Sequence, residues 1–184
     1  MPYSAIAVAN HFLDLAKSAG QEITPMKMQK LVYFAHGWHL AIFDAPLIKE
    51  NVMAWKYGPV ISSLYHGFKK YGKSAITDPA VDIVFNKDEN GDIDIMSGRF
   101  ITPRPDNMDS EVEDLLKAVL ESYGRLSAIR LSELTHAHDS PWSRVWKGFS
   151  SRDVPIPNEE IKKYFSQLKS SAKSSENSVA EASA

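Results

Sequence analysis

The feature that most constrains the fold is a dense apolar block between residues 24 and 60. Thr24 is a suitable helix N-cap, and Pro25 suits the first helical position, where a missing N–H needs no partner. Behind them, one stripe of apolar residues recurs at helical spacing: Met28, Leu31, Ala35, Trp38 and Ile42. Other apolar residues extend the stripe to further faces: Val32, Phe34 and Leu40. A helix that is apolar on several faces is predicted to lie buried at the centre of the fold.

The rest of the pattern predicts a mainly α protein with a small antiparallel β-hairpin, an α+β fold in a single compact helical domain. Further helices are predicted over residues 4–19, 59–72 and 110–124, and from Ser127, Ser140 and Asn158 onward. In detail, Pro59 is predicted to open its helix, and Ser110 with Glu113 to form a capping box.

Asn90-Gly91 predicts the turn of the hairpin, because it lies between two stretches in which apolar and polar residues alternate. Beyond residue 169, the chain is dominated by Ser, Ala, Glu and Lys. Such a segment buries too little apolar surface to offset its ordering entropy. We therefore expect one domain over residues 1–169 and a disordered tail over residues 170–184.

Composition bounds the function classes. The 184 residues carry a formal net charge of −2, which gives no overall attraction to nucleic acid or anionic membranes. The absence of cysteine excludes disulfides, thiol catalysis and Cys-ligated zinc. The sequence shows no secretory signal and no apolar run of the roughly 20 residues that a membrane-spanning helix needs. The expected location is the cytoplasm.

Three clusters could in principle hold a metal. Residues 86–97 resemble a calcium loop, but Ser97 stands where the bidentate glutamate belongs. His36 and His39 lie three apart on the central helix, where a structural role is commoner than ligation. A metal-dependent hydrolase using His136, His138 and Asp139 stays an alternative. We predict no catalytic residue, no metal and no cofactor.

Aromatic and lysine side chains interleave between residues 55 and 73. Tyrosine and tryptophan are frequent anchors of protein–protein interfaces. The same composition could bind nucleic acid, but arginine, which phosphate and base recognition favour, is absent from this stretch. Residues 78–94, by contrast, carry six acidic residues and one lysine, which suits a basic partner. A protein interface is therefore favoured over a nucleic-acid site.

Residues 27–35 and 54–60 resemble, in order and spacing, two motifs of the SocA-type antitoxin, or Panacea, domain. Further matching positions are Tyr65, Phe68, Leu134, Thr135, His136, Pro141, Trp142, Ile161, Tyr164 and Phe165. The resemblance covers about residues 5 to 168. Met28 stands where the family often has leucine, a swap that roughly conserves volume.

The resemblance implies a bacterial or prophage antitoxin, without enzymatic activity, that neutralises a cognate toxin by direct protein–protein binding. Delivery of the toxin to the ClpXP protease is the alternative, and a homodimer stays open. The predicted partner-binding residues are Lys30, Tyr33, Trp55, Lys56, Tyr57, Tyr65, Asp88 and Asp92. The predicted structural residues of the motifs are Trp38, Gly58, Pro59, His136, Pro141 and Trp142.

Overall fold

A computed structural model describes residues 1–148 and 154–182, with the backbone alone described over residues 173–182. Helices in these ranges are α1 (Ala5–Ser18), α2 (Pro25–Phe43), α3 (Ser62–Phe68), α4 (Ser110–Tyr123), α5 (Ala128–Thr135), α6 (Pro141–Val145) and α7 (Asn158–Ala182). A single 3-10 turn (Lys69–Tyr71) extends α3. Strands are β1 (Val52–Trp55), β2 (Gly58–Val60), β3 (Asp82–Lys87), β4 (Ile93–Ile101) and β5 (Val154–Ile156).

The strands form two small antiparallel sheets. One is the predicted hairpin of β3 and β4, and the other has the strand order β2-β1-β5. The predicted mainly α fold with an antiparallel hairpin is therefore confirmed. The three-stranded sheet was not predicted, because β2 and β5 have only three residues each and give no alternating pattern.

Helix α2 lies at the centre, as its apolar faces predict, and packs against α1, α3, α4, α5 and α7. The Thr24 side chain caps it by accepting a hydrogen bond from the Lys27 N–H. The Phe165 ring of α7 lies against Gly37, where a Cβ would come within 2.3 Å of ring atom Cε2. Gly37 therefore lets these two helices approach closely. Ile42 was predicted on the buried stripe but is 44% exposed, since it lies in the last turn of α2.

The predicted helix start at Pro59 and the predicted capping box at Ser110 are both wrong, although α4 does begin at Ser110. Pro59 lies within β2, paired with Ala54, and the helix begins at Ser62. Proline is accepted there because β2 is an edge strand of its sheet. In α4 the N-cap is Asp109 and makes no side-chain capping hydrogen bond, so Ser110 forms no capping box.

Helix α7 runs on to Ala182, past the predicted start of the disordered tail at residue 170. The domain limit at residue 169 stays a prediction. Among the described helices, none is both long and apolar enough to cross a bilayer.

Candidate partner-binding groove

The turn between β1 and β2 displays Lys56 and Tyr57 as a two-residue loop. Gly58 closes this turn with a φ of +101°, a conformation that L side chains rarely adopt. Space excludes a side chain as well, since a Cβ on Gly58 would lie 2.5 Å from Lys30 Nζ and 2.7 Å from Thr135 Oγ1. Glycine is thus required here by both backbone conformation and packing.

Side chains from three helices hold the carbonyls of this turn. Lys30 Nζ of α2 donates to Tyr57 O at 2.8 Å and to Pro59 O at 3.2 Å. Ser132 Oγ of α5 also donates to Tyr57 O, at 3.0 Å. Trp142 Nε1 of α6 donates to Trp55 O at 2.7 Å. The motifs of the resemblance, distant in sequence, therefore converge on one β-turn.

Lys30 is the most unusual residue of the site, because its side chain is buried without an ionic partner. It is 1% exposed, and none of the ion pairs among the described residues includes it. Burial disfavours the ammonium form and lowers the pKa of Lys30 to about 7. A neutral amine keeps two N–H groups, enough to donate to both carbonyls.

His136 contacts Ser132 and Trp142, two of the residues that hold the turn. His136 Nδ1 lies 2.5 Å from Ser132 O, so Nδ1 carries a proton and donates it to this carbonyl. The imidazole lies 3.9 Å from the Trp142 ring, between centroids. His138, in contrast, is exposed and contacts Asp139. The two histidines thus have separate partners, and no described group of three His, Cys, Asp or Glu residues could hold a metal.

His36 and His39 also have separate structural partners. The Ile48 N–H donates to His36 Nδ1, so His36 Nε2 is protonated and donates to Asn158 Oδ1 at 2.9 Å. His39 Nδ1 lies 2.6 Å from Ala45 O and donates to it. Burial lowers the pKa of both imidazoles, which keeps them neutral near pH 7.

A groove of about 580 Å³ opens beside the turn. Its walls come from the first turns of α2, the β1–β2 turn, α3 with its 3-10 extension, and Trp146 after α6. The lining residues are Pro25, Met26, Gln29, Lys30, Trp55, Lys56, Tyr57, Val60, Leu64, Tyr65, Lys69, Gly72 and Trp146. This lining is mostly apolar and aromatic, and all its charged residues are lysines.

The groove rim presents two tyrosines. Tyr57 is 61% exposed, with Lys56 Nζ 5.2 Å from its ring centroid. Tyr65 is 45% exposed and packs edge-on against Trp55 at 5.1 Å. Since the turn carbonyls are fixed by Lys30, Ser132 and Trp142, the backbone that carries Tyr57 is held in place before any partner arrives.

The structure brings together five of the eight predicted partner-binding residues in this groove: Lys30, Trp55, Lys56, Tyr57 and Tyr65. Tyr33 is 2% exposed, and its ring lies in the core, edge-on to Phe165 at 5.8 Å. Tyr33 offers no surface to a partner, because it faces α7. Asp88 and Asp92 lie at the tip of the β3–β4 hairpin and do not line the groove.

Sequence reasoning missed several groove residues, among them Met26, Leu64 and Trp146. Met26 follows Pro25 in the first turn of α2 and is 40% exposed. Trp146 follows α6 directly and stacks on Trp142 at 5.8 Å. A rule that tryptophans close in sequence share one surface could have found Trp146, but nothing local marks Met26.

The predicted structural residue Trp38 lies outside the groove. Its Nε1 donates to Tyr123 Oη at 3.1 Å, and its ring lies edge-on to Phe165 at 5.2 Å. Pro141 is the first residue of α6, behind the N-cap Ser140. The Trp38 contacts join α2, α4 and α7 around the core.

Comparison with known proteins gives one family. The family model described as "Antitoxin SocA-like, Panacea domain" matches residues 28–143, more than half of the chain. Antitoxin SocA of Caulobacter vibrioides (strain NA1000 / CB15N) is 35% identical over 144 residues, which cover 78% of this chain and 71% of that protein. The comparison with solved structures gives no match.

Proposed function

Because the chain belongs to the SocA-like antitoxin family with its Panacea domain, we propose that it neutralises a toxin by binding it directly at the groove beside the β1–β2 turn. The toxin is expected to be the product of the neighbouring gene. The groove supports this proposal because it combines apolar walls, two exposed tyrosines and a turn fixed by three side chains.

Preorganisation of the turn is the observation that carries the proposal. A surface that is already ordered loses little conformational entropy when a partner binds. Tyrosine and tryptophan contribute large contact areas with few rotatable bonds, which is why they dominate the binding energy of many interfaces. Trp55, Tyr57, Tyr65 and Trp146 meet these conditions in one groove.

The lining chemistry favours binding over catalysis. The residues that line the groove include no carboxylate, imidazole, hydroxymethyl or thiol group that could serve as a general base or a common nucleophile. Burial lowers the pKa of the lining residue Lys30 to about 7, but its side chain is 1% exposed and donates to two carbonyls. A substrate would have to displace both contacts to reach it.

Charge indicates what the groove accepts. The exposed lysines Lys56 and Lys69 line it, and its lining residues include no acidic residue. An apolar or aromatic side chain of the toxin, flanked by aspartate or glutamate, would therefore fit both the walls and the rim. Metal, cofactor and nucleic acid are not needed for this function.

The test is binding of the purified neighbouring gene product by isothermal titration calorimetry. Tyr57→Ala and Tyr65→Ala each remove an exposed ring, and loss of a central aromatic anchor costs about 2 kcal/mol, or about 30-fold in Kd. Ile129→Ala, which trims an exposed apolar side chain of α5 outside the groove, is the matched control and should bind as the unaltered protein does. Unaltered protein that neither binds the product nor relieves its toxicity would refute the proposal.

A further inference from the structure

The β3–β4 hairpin concentrates the exposed apolar surface of the molecule. Half of the large apolar side chains exposed in the described ranges lie within residues 81–101. They are Val81, Ile83, Phe85, Ile93, Ile95, Met96, Phe100 and Ile101. Single exposed apolar residues need no explanation, but a contiguous cluster is typical of an interaction site.

Strand register gathers much of this surface on one face. Ile83 lies opposite Phe100, and Lys87 lies opposite Ile93, and paired residues of antiparallel strands point to the same side. Alternation along β3 adds Phe85 to that side, and Ile95 stands two residues beyond Ile93 on β4. The register shift between Val84 and Asn86 inserts extra residues into β4, which lets Ile93 and Phe100 lie on one side although seven positions separate them. We call the resulting set the hairpin face: Ile83, Phe85, Ile93, Ile95 and Phe100.

The hairpin face is an apolar surface that no other part of the described fold covers. Phe100 is 75% exposed and Ile95 is 77% exposed, so neither ring nor aliphatic chain is covered by the rest of the described fold. Phe85 packs only partly, across Gly98 of the neighbouring strand, where a Cβ would lie 2.8 Å from its Cε1. A two-stranded hairpin alone is marginally stable in water, so a covering partner would stabilise it substantially.

Charge decides between a second copy of this chain and a different protein. Residues 82–101 contain five acidic and two basic residues, which gives them a net charge of −3. This segment is therefore more negative than the whole chain, whose net charge is −2. Self-association through this face would bring two such hairpins together and is disfavoured by repulsion. A partner with lysine or arginine around an apolar patch is attracted instead.

Two acidic side chains are available for such attraction. Asp88 Oδ1 accepts from the N–H groups of Asn90 and Asp92, and Asp94 Oδ1 accepts from the Met96 N–H, so both stabilise the turn and the start of β4. Among the described residues, no backbone N–H donates to the carboxylates of Glu89 and Asp92, which are exposed at the tip.

We propose that the hairpin face is a second docking surface, which holds an apolar patch of the toxin that is bordered by lysine or arginine. This inference rests on the proposed function and adds to it, since the toxin would be held at two separate sites. The groove accepts an apolar anchor with acidic flanks, and the hairpin accepts an apolar patch with basic flanks. Such opposed charge requirements fix the orientation of the bound toxin.

The test compares two variants against the purified neighbouring gene product. The variant Ile93→Thr/Ile95→Thr/Phe100→Thr removes apolar surface while retaining residues that favour strands. The control Ile42→Thr/Ile129→Thr makes the same kind of change at exposed apolar positions on helices α2 and α5. We expect the hairpin variant to lose at least 30-fold in Kd and the control to retain the original Kd.

A second measurement addresses charge, and a third uses the unaltered protein. Glu89→Gln/Asp92→Asn should reduce the salt dependence of the association rate. Hydroxyl-radical oxidation of Phe85 and Phe100 should fall when the product is bound, a readout that does not depend on the folding of any variant.

Each outcome decides one question. A hairpin variant that binds as the unaltered protein does, with Phe85 and Phe100 oxidised equally in the complex, overturns this inference and leaves the proposed function standing if Tyr57→Ala still weakens binding. Failure of the unaltered protein to bind the product overturns both. A concentration-dependent dimer that the hairpin variant abolishes would assign the face to a second copy of this chain.

Discussion

Raising the pH from 7 to 9 should stabilise the folded protein, because Lys30 is buried and takes part in none of the ion pairs among the described residues. Its pKa is about 7 in the folded state, against 10.5 ordinarily. Between these two values the unfolded chain binds a proton that the folded protein has released. Stability therefore rises with pH across this window, and the loss of stability grows as pH falls toward 7.

The magnitude follows from the two pKa values. At pH 7 the folded amine is about half protonated and at pH 9 it is almost fully neutral, whereas the unfolded amine remains charged throughout. Integrating the difference in bound protons over this interval gives about 2 kcal/mol. For a chain of this size that corresponds to a rise in Tm of about 4–8 °C.

Urea denaturation at pH 7, 8 and 9 measures this effect, with Lys30→Met as the comparison. Methionine has a similar length and no charge, so the Lys30 contribution to the pH slope should vanish whether or not the variant is less stable overall. Tyr57 O would keep its bond from Ser132, while Pro59 O would lose the bond from Lys30. Lys17→Met, an exposed lysine of α1, should retain the slope of the unaltered protein.

Parallel slopes for the unaltered protein and Lys30→Met would contradict a lowered pKa of Lys30, and would mean that Lys30 reaches water or a counter-ion. If Lys30→Met does not fold, the titration of Lys30 in ¹³C-lysine-labelled protein decides instead. A Lys30 resonance that titrates near pH 10.5 would equally contradict the argument.

Three further predictions test the core, the turn and the mode of neutralisation. Gly37→Ala should lower the free energy of unfolding, measured in urea, by about 1–3 kcal/mol, because the new Cβ meets the Phe165 ring. Gly67→Ala, whose nearest neighbour is the flexible Ile6 Cδ1 at 3.0 Å, should lower it less, and equal losses would contradict the close approach of α2 and α7. Trp142→Phe removes the bond to Trp55 O, so calorimetry should show weaker toxin binding and a loss of about 1 kcal/mol of stability, and unchanged affinity would argue against a preorganised turn. Neutralisation by direct capture should persist in a strain without ClpX or ClpP, and rescue that disappears there would support proteolytic delivery.

Local signals in the sequence determined most of the helices. Thr24, Ser127 and Ser140 were each recognisable as N-caps, and each side chain accepts a hydrogen bond from a backbone N–H three residues ahead. Asn90-Gly91 likewise determined the hairpin turn, with φ of +85° at Gly91. Such signals can be recognised in the sequence because the interacting residues lie within about three positions of each other.

The site depended on contacts that no local pattern contains. The sequence placed Lys30 on an apolar helix, but its acceptors are the carbonyls of residues 57 and 59, nearly thirty positions away. Pro59 reads as a helix start in isolation and becomes part of a strand only because Ala54 pairs with it. Tyr33 and Tyr57 are equally plausible anchors by composition, and only the position of α7 buries the first and leaves the second exposed.

Local sequence patterns are sufficient to identify the family, the central helix and the aromatic residues that line the groove. The packing of distant elements sets the rest: side chains of α2, α5 and α6 donate to the carbonyls of the β1–β2 turn, and the hairpin face has no cover within the described fold. This division arises because capping and periodicity act over a few residues, whereas burial depends on which distant elements pack together.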